Sequence, residues 1–299
     1  MIEGQEGVTW EQWVALARSA EAAGIEAMYR SDHYLGIARA GRAGGSLDAW
    51  TTLAGLAAVT ERIRLGTLVS PVTFRPAAVL AKTVVTVDQI SNGRVDLGIG
   101  AGWFEAEHEV YGFPFLTAGE RVALLREQLE TIVRHWTEED RVQPKPAQQP
   151  HPHLIVGGSG KRGTVEPAVR WASEYNSTGA GPEDCRRRRE ALDRACENAG
   201  RDPASLPLSL MRTCIVGTDE ADLRDHVARY VEIYRPGTSV HDLLKGTDEA
   251  DLIGTVDQVA ERLAAYERAG VSRVMLQHLV HEDLEMVDVI GGELKPAVE

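Results

Sequence analysis

The stretch of residues 62–103 constrains the fold more than any other part of the sequence. A short apolar run ends at Ser70-Pro71, because proline cannot donate to a sheet ladder. Pro76 suits the first turn of a helix, and the apolar residues after it recur at helical spacing. Residues 95–99 then form a second apolar strand that glycines close. Since a long helical crossover joins parallel strands, this stretch predicts a parallel β-α-β unit with its loops at one sheet edge.

Strands alternate with helices along the rest of the chain. Further short strands are predicted at residues 27–30, 153–156, 175–177, 208–212 and 274–277. Little more than Met1 and Ile2 precedes the segment of residues 3–7, so a first strand would be very short or largely missing, and Met1 could be an internal start. With that strand counted there are about eight strand–helix units, the number that closes a (β/α)₈ barrel. An open doubly wound sheet is the rival, but it would more naturally carry GxGxxG after its first strand, and this sequence does not.

The fold class predicted is therefore α/β: a single (β/α)₈ TIM barrel over residues 1–299, with loop insertions and a short or truncated first strand. A formal net charge of -13 argues against a nucleic-acid surface, and the sequence has no apolar run long enough to span a bilayer. No signal peptide is apparent. The three cysteines form no CxxC pair, so we expect a reducing cytoplasm rather than a disulfide framework.

A glycine-rich segment joins the strand of residues 153–156 to the next helix. Gly157, Gly158 and Gly160 allow backbone N–H groups to approach an anion, and the helix N-terminus adds positive potential. Lys161 and Arg162 add two cations. The segment indicates a phosphate-binding loop, with a tight turn beside a solvated basic pair as the alternative.

His33 follows the strand of residues 27–30, in the tripeptide Ser31-Asp32-His33. Histidine titrates near neutral pH, so His33 is a candidate proton donor, proton acceptor or cofactor contact. A structural histidine is the alternative. Asp32 could orient a loop or cap a helix.

Three other groups are weaker candidates. His151 and His153 lie at the entrance of a strand, the face of a barrel that serves stability, so a metal site there is disfavoured. The acidic residues 105–109 are more typical of a solvated loop than of metal ligands, and we expect no metal. His278 and His281 follow the last strand and could line a substrate pocket or be ordinary loop residues.

Three segments together resemble the luciferase-like monooxygenase superfamily: SDHY, the run GTLVSPVTFRPAAVLAKTVVTVDQISNGRVDLGIGAGWFEAEHEVYGFPF, and VGGSGKRG. The resemblance spans residues 10–279 and is closest to members that use the deazaflavin coenzyme F-420. The family fold is a (β/α)₈ barrel, in agreement with the strand count. The combination is specific for the superfamily but not for one substrate.

The resemblance implies roles for individual positions. His33 corresponds to the histidine beside the flavin or deazaflavin ring and is the candidate catalytic residue. A strand end, often with a non-prolyl cis peptide, would support the back of the ring. The implied cofactor contacts are Asp32, Thr67, Leu68, Val69, Ser70, Gly157, Gly158, Ser159, Gly160, Arg162 and Gly163, and the candidate substrate contacts are Trp103, Tyr111 and His278. Trp103 stands where some deazaflavin enzymes carry a catalytic glutamate.

The resulting hypothesis is a cytoplasmic, homodimeric oxidoreductase that transfers a hydride between coenzyme F-420 and a small organic substrate. The alternatives are an FMN-dependent monooxygenase, a flavin-binding barrel without catalysis and a barrel metallohydrolase. No nucleic-acid or membrane partner is expected. The loops after Tyr29, Val69, Ile99 and Val156 should surround one cavity. Variable loops such as residues 36–45, with Arg39 and Arg42, and 236–246 would set the substrate.

Overall fold

The structure is a computed structural model that describes residues 1–37, 45–248 and 250–298. The loop of residues 36–45, with Arg39 and Arg42, is expected from the sequence to help set the substrate, and it lies outside the described residues except at its two ends.

The strands form one parallel system. The ladders run from β1 through β2, β4, β5 and β6 to β7, and β7 also pairs with both β8 and β9. The strands are β1 (Ala27–Arg30), β2 (Arg64–Thr67), β3 (Ser70–Pro71), β4 (Val95–Gly100), β5 (His153–Gly157), β6 (Glu174–Thr178), β7 (Leu208–Gly217), β8 (Leu252–Thr255) and β9 (Val271–Gln277).

Ile2 closes this sheet into a barrel. It forms parallel bridges to Arg30 at the end of β1 and to His278 just after β9. Its N–H donates to the carbonyl of Tyr29 at 2.9 Å, and its own carbonyl accepts from Ser31 at 3.1 Å. When Met1–Ile2 is counted as the first barrel strand and β2 and β3 together as the third, the ring has eight strands, as the (β/α)₈ prediction requires. β8 lies outside the ring, on the far end of β7.

Helices follow the strands around the barrel. A capping box opens the first of them, because the hydroxyl of Thr9 accepts from Gln12 N and the Gln12 side chain accepts from Thr9 N. Within the described ranges no helix is both long and apolar enough to cross a bilayer. The helices are α1 (Trp10–Ala22), α2 (Ala49–Val59), α3 (Ala77–Ser91), α4 (Glu105–Tyr111), α5 (Ala118–Thr137), α6 (Arg162–Trp171), α7 (Pro182–Asn198), α8 (Glu220–Tyr234), α9 (Val240–Lys245), α10 (Val256–Arg268), α11 (Leu284–Val289) and α12 (Lys295–Val298).

Two apolar clusters stabilise the arrangement. The larger one fills the space between the strands and the helices, and the helices other than α4 and α12 contribute apolar residues to it. The smaller one lies between strands on the opposite side of the sheet. Its buried members are Met1, Tyr29, Leu68, Ile155 and Met275. Since side chains of a strand alternate between its two faces, the smaller cluster marks the inside of the barrel.

Three segments differ from the sequence prediction. Ser70 and Pro71 do not end the strand pairing, because they pair with Ile99 and Gly100 as β3. The insertion around residues 236–246 contains α9, and β8 follows it. The acidic segment of residues 105–109 belongs to α4 rather than to a solvated loop.

Candidate active site

A cavity of about 750 Å³ opens at the carboxyl ends of the barrel strands. This is the end at which parallel α/β proteins bind ligands. The loops after β1, β4 and β5 contribute to its wall, and so does the segment from Leu68 to Pro71, which follows β2 and includes β3. This arrangement confirms the prediction that the chain after Tyr29, Val69, Ile99 and Val156 surrounds one cavity. Among the residues that line it are Glu3, Gln5, Ser31, His33, Leu68, Val69, Gly102, Trp103, Gly157, Gly158, Ser159, Asn176, Thr178, Met211, Gln277 and Leu279.

His33 lies in this wall and is held by a buried carboxylate. Its Nδ1 lies 2.8 Å from Oε2 of Glu107, whose side chain is fully buried. The other oxygen of Glu107 accepts the backbone N–H groups of Leu35, at 2.9 Å, and of Tyr34. Because a carboxylate only accepts, the proton of the neutral imidazole sits on Nδ1. Nε2 is therefore the ring nitrogen left to exchange a proton.

Glu107 is a residue that the sequence analysis missed. It lies on α4, where Glu105 and Glu109 are exposed but Glu107 and His108 are buried. His108 is tied to the fold by Thr73, whose Oγ1 lies 2.6 Å from its Nε2. Among the residues described, no three His, Cys, Asp or Glu side chains group in a way that could hold a metal ion. Nothing in the local sequence distinguishes Glu107 from its exposed neighbours.

Leu68 and Val69 form the part of the wall that the family resemblance assigns to the cofactor ring. The peptide bond between them is cis, and both residues line the cavity. Glycines make room for Val69: a Cβ on Gly100 would lie 2.6 Å from its Cγ2, and one on Gly157 would lie 2.9 Å from its Cγ1. The strand-end glycines therefore allow an apolar surface to form at the cavity floor.

Three of the expected cofactor contacts are buried away from the cavity lining. Thr67 donates to the carbonyl of Gly98 at 2.8 Å. Ser70 donates to Asp32 Oδ2 at 2.6 Å, and Arg75 binds both carboxylate oxygens of Asp32, at 2.6 and 3.2 Å. These contacts fasten the loop after β1 to β3, so they support the wall from behind.

The glycine loop between β5 and α6 contributes Gly157, Gly158 and Ser159 to the wall. Gly160 has a left-handed φ of 78°, which favours glycine, and its N–H donates to the hydroxyl of Tyr175 at 2.8 Å. The first N–H groups of α6 have no acceptor within the helix. The loop therefore directs backbone donors and the positive end of a helix dipole toward one region, which suits a phosphate group.

The other two predicted loop residues lie elsewhere. The side chain of Arg162 is 89% exposed, and its Nε donates to Glu166 Oε1 at 2.6 Å. This hydrogen bond raises the pKa of Arg162. Gly163 packs against α5, where a Cβ on it would lie 3.0 Å from Cγ1 of Val122. Neither residue is part of the cavity lining.

The three substrate candidates are separated by the structure. Trp103 lines the cavity, is 61% exposed and meets His33 edge-on at 6.0 Å between ring centroids. Tyr111 stands outside the lining, and its hydroxyl donates to the carbonyl of Tyr34 at 3.2 Å. His278 is buried behind the wall, where burial lowers its pKa to about 4. Gln277 and Leu279, the residues on either side of His278, face the cavity instead, because successive side chains of an extended chain point to opposite faces.

A polar chain near the barrel seam was also missed. Gln277 Nε2 donates to one carboxylate oxygen of Glu3 at 2.5 Å, and Gln5 Nε2 donates to the other at 2.8 Å. All three residues line the cavity. The start of the chain carries no periodic pattern, so the sequence offered no signal for this contribution.

The residues present fit a flavin or deazaflavin cofactor. The cavity falls within the size range of small-molecule sites. It combines an apolar floor at Leu68 and Val69 with a glycine cradle at Gly157 and Gly158, where a Cβ would collide with neighbouring side chains. An apolar surface suits a ring system, and backbone donors at a helix N-terminus suit a phosphate.

An eight-stranded parallel barrel with a cofactor-sized cavity at its carboxyl end defines a barrel enzyme of the cofactor-binding class. The sequence pattern of the luciferase-like monooxygenase family matches residues 2–273, and the chain belongs to that family.

Relatives within the family differ in cofactor. An uncharacterized protein of Mycobacterium tuberculosis is 33% identical over 235 residues, 74% of each chain. The FMNH(2)-dependent dimethylsulfone monooxygenase of Pseudomonas putida is 25% identical over 283 residues, 81% of this chain and 76% of that protein. The coenzyme F-420-dependent glucose-6-phosphate dehydrogenase of Amycolatopsis mediterranei is 36% identical over 128 residues, 42% of this chain and 38% of that protein.

The fold is shared with solved structures of the family. The coenzyme F-420-dependent tetrahydromethanopterin reductase of Methanopyrus kandleri superposes with a TM-score of 0.78 and 18% identity, covering 100% of this chain and 98% of that chain. At this identity the likeness shows the barrel fold alone.

Proposed function

We propose that the protein is an oxidoreductase that binds the deazaflavin coenzyme F-420 and transfers a hydride between it and a small organic substrate. The observation that carries this proposal is the His33–Glu107 hydrogen bond at the wall of a cavity that also holds an apolar floor and a glycine cradle. A relative named as F-420-dependent, with 36% identity over 42% of the chain, supports the deazaflavin.

The residues that would hold the cofactor follow from their positions in the wall. Leu68 and Val69 would support the ring, and the N–H groups around Gly158 and Ser159 would bind the phosphate. Trp103 would screen the open side from water. When bound, a deazaflavin supplies hydride transfer, whereas reduced FMN supplies the activation of oxygen.

The contribution of His33 is proton exchange at Nε2. Glu107 holds Nδ1–H, so the neutral ring offers a lone pair at Nε2 that can take a proton from a substrate hydroxyl or amine. In the reverse direction the protonated ring donates from the same atom. This role serves an oxidation or a reduction of the substrate equally.

An FMN-dependent monooxygenase is the second candidate, and the FMNH(2)-dependent relative, 25% identical over 81% of the chain, favours it. The cavity, its floor and its glycine cradle would serve either ring system. A barrel that binds the cofactor without turnover is the third candidate, in which His33 would have only a packing role.

Titration of the purified protein with coenzyme F-420 and with FMN, followed by absorbance and fluorescence, tests the proposal. We expect saturable binding of coenzyme F-420 that is tighter than that of FMN. Preferential binding of FMN, with oxygen uptake when it is reduced, would replace the proposal by the monooxygenase. If neither cofactor binds, both candidates fail.

A further inference from the structure

Helix α7 carries four consecutive arginines, residues 186–189, and one of them differs from the others. Arg186 and Arg187 each pair with the carboxylate three residues earlier, Glu183 and Asp184 respectively. Nη2 of Arg189 lies 2.7 Å from Oδ1 of Asp193. The remaining one, Arg188, has no carboxylate partner among the described residues. A guanidinium is always charged, so the charge of Arg188 is not neutralised by any carboxylate that the structure describes.

Arg188 reaches the glycine loop. Its stem packs on Gly160, where a Cβ would lie 3.0 Å from its Cγ. Its Nη1 donates to the hydroxyl of Ser177 and lies 3.5 Å from the carbonyl of Thr178. Thr178 lines the cavity. The guanidinium therefore sits between the carboxyl end of β6 and the loop that presents backbone donors.

The chemistry of the side chain matches that position. Three of its five N–H donors, those of Nε and Nη2, make no hydrogen bond to the residues described. The charge of Arg188 also acts on Tyr175, whose hydroxyl accepts from the loop N–H of Gly160. Arg162, by contrast, points to solvent and is already paired with Glu166.

We infer that Arg188, rather than Arg162, is the side chain that pairs with the phosphate held at the glycine loop. The inference rests on the proposed function, because it takes that phosphate to belong to the cofactor. The ligand class is a phosphate ester, either the monoester of FMN or the diester of coenzyme F-420. Arg188 would add a charge-assisted contact to the backbone donors of the loop and of α6.

The test compares Arg188→Gln with Arg162→Gln. Glutamine keeps a polar side chain with N–H donors but removes the charge, and the melting temperature of each variant without ligand checks that the fold is retained. Each variant is titrated with FMN and with riboflavin, which lacks the phosphate, and with coenzyme F-420 and its phosphate-free deazaflavin core. We expect Arg188→Gln to weaken binding of the phosphorylated ligands by about 10- to 100-fold and to leave the phosphate-free ligands unchanged. Arg162→Gln should change every ligand by less than about 2-fold, as expected for an exposed pair.

Equal effects of the two variants, or equal losses with and without the phosphate, would overturn the inference. A second arm uses inorganic phosphate alone and follows the melting temperature. Phosphate should stabilise the wild type and Arg162→Gln but not Arg188→Gln, and the absence of any shift in the wild type would also overturn it. If phosphate behaves as expected while neither cofactor binds, the anion site stands and the proposed function fails.

Discussion

At the scale of residues, the hydrogen bond between His33 and Glu107 decides what the cavity can do. A carboxylate removed from water is costly unless it is fully hydrogen-bonded. Glu107 meets that condition with three N–H donors, from the His33 ring and from the backbone of Tyr34 and Leu35. One buried side chain thus fixes the loop after β1, the orientation of the ring and its tautomer.

A double-mutant cycle measures this role. His33→Ala should lower turnover by roughly 10²- to 10⁴-fold, the usual contribution of a general acid or base, with a much smaller effect on cofactor affinity. In Glu107→Gln the amide group would face Nδ1, force the proton to Nε2 and lower turnover by about 10- to 100-fold. If Glu107 acts through His33, the double variant should be no slower than His33→Ala.

Glu109→Gln is the matched control, because Glu109 lies on the same helix but is exposed. It should leave turnover unchanged. Additive losses in the double variant would show that Glu107 contributes independently of His33. Unchanged turnover and affinity in a stable His33→Ala variant would remove this histidine from the mechanism.

The sequence pointed to His33 and the glycine loop as site residues but not to Glu107 or Arg188, and the reason is physical. His33 and the glycines at residues 157–160 follow apolar strands, and strand ends meet at one edge of a parallel sheet. The catalytic-site candidate Glu107 lies on a short helix whose buried face is defined by tertiary contacts, with the loop after β1 at Glu107 and with Thr73 at His108. The same limit applies to Arg188, which looks like its paired neighbours in a run of four arginines.

At the scale of elements, strands and helices with clear periodicity were predicted well. The strand over residues 27–30 occurs as predicted. β8 was missed because it is only four residues long and pairs outside the barrel ring. The strand before α8 is also longer than predicted, since the far half of β7 pairs with β8 instead of ending at Arg212.

One contact between elements should make stability depend on pH. His226 of α8 lies 2.6 Å from Asp283, the residue that caps α11, and 3.3 Å from Asp222. Burial lowers the pKa of His226, but the hydrogen bond and charge of Asp283 outweigh burial and raise it overall. A raised pKa in the folded state stabilises the protein below the ordinary histidine pKa, and this stabilisation is lost as pH rises through the folded pKa.

Denaturant unfolding of wild type and His226→Gln over a pH series checks the sign. The variant should be less stable by about 3 kcal/mol at pH 6, the lower end for breaking a buried pair, because Arg229 remains bound to Asp283. The difference should shrink as the pH rises above about 6.5, the ordinary histidine pKa, and through the raised folded-state pKa at which His226 loses its proton. His241→Gln, an exposed histidine on α9, should show no such trend. A difference that grows with pH would contradict the assignment.

At the scale of the whole molecule, the barrel depends on a seam that is only two residues wide. The other neighbouring barrel strands pair through ladders of several residues, whereas β1 and β9 are joined only through Met1 and Ile2 among the described residues. The same segment places Glu3 and Gln5 in the cavity wall. Closure of the barrel and completion of the cavity are therefore one structural event.

Ile2→Ala tests the seam. Ile2 is 4% exposed and packs in the main apolar core, so its truncation should lower the free energy of unfolding by about 2–5 kcal/mol. Val79→Ala, on the exposed face of α3 and 53% exposed, is the control, and its free energy of unfolding should stay within about 0.5 kcal/mol of the wild type.

Hydrogen exchange localises the effect of Ile2→Ala, because the amides of Ser31 and His278 donate to the carbonyls of Ile2 and Met1. These two amides should lose protection first as the seam opens below the global unfolding limit. Loss of protection spread evenly over all strands would show that the barrel unfolds as a unit and that the seam is no weaker than the rest.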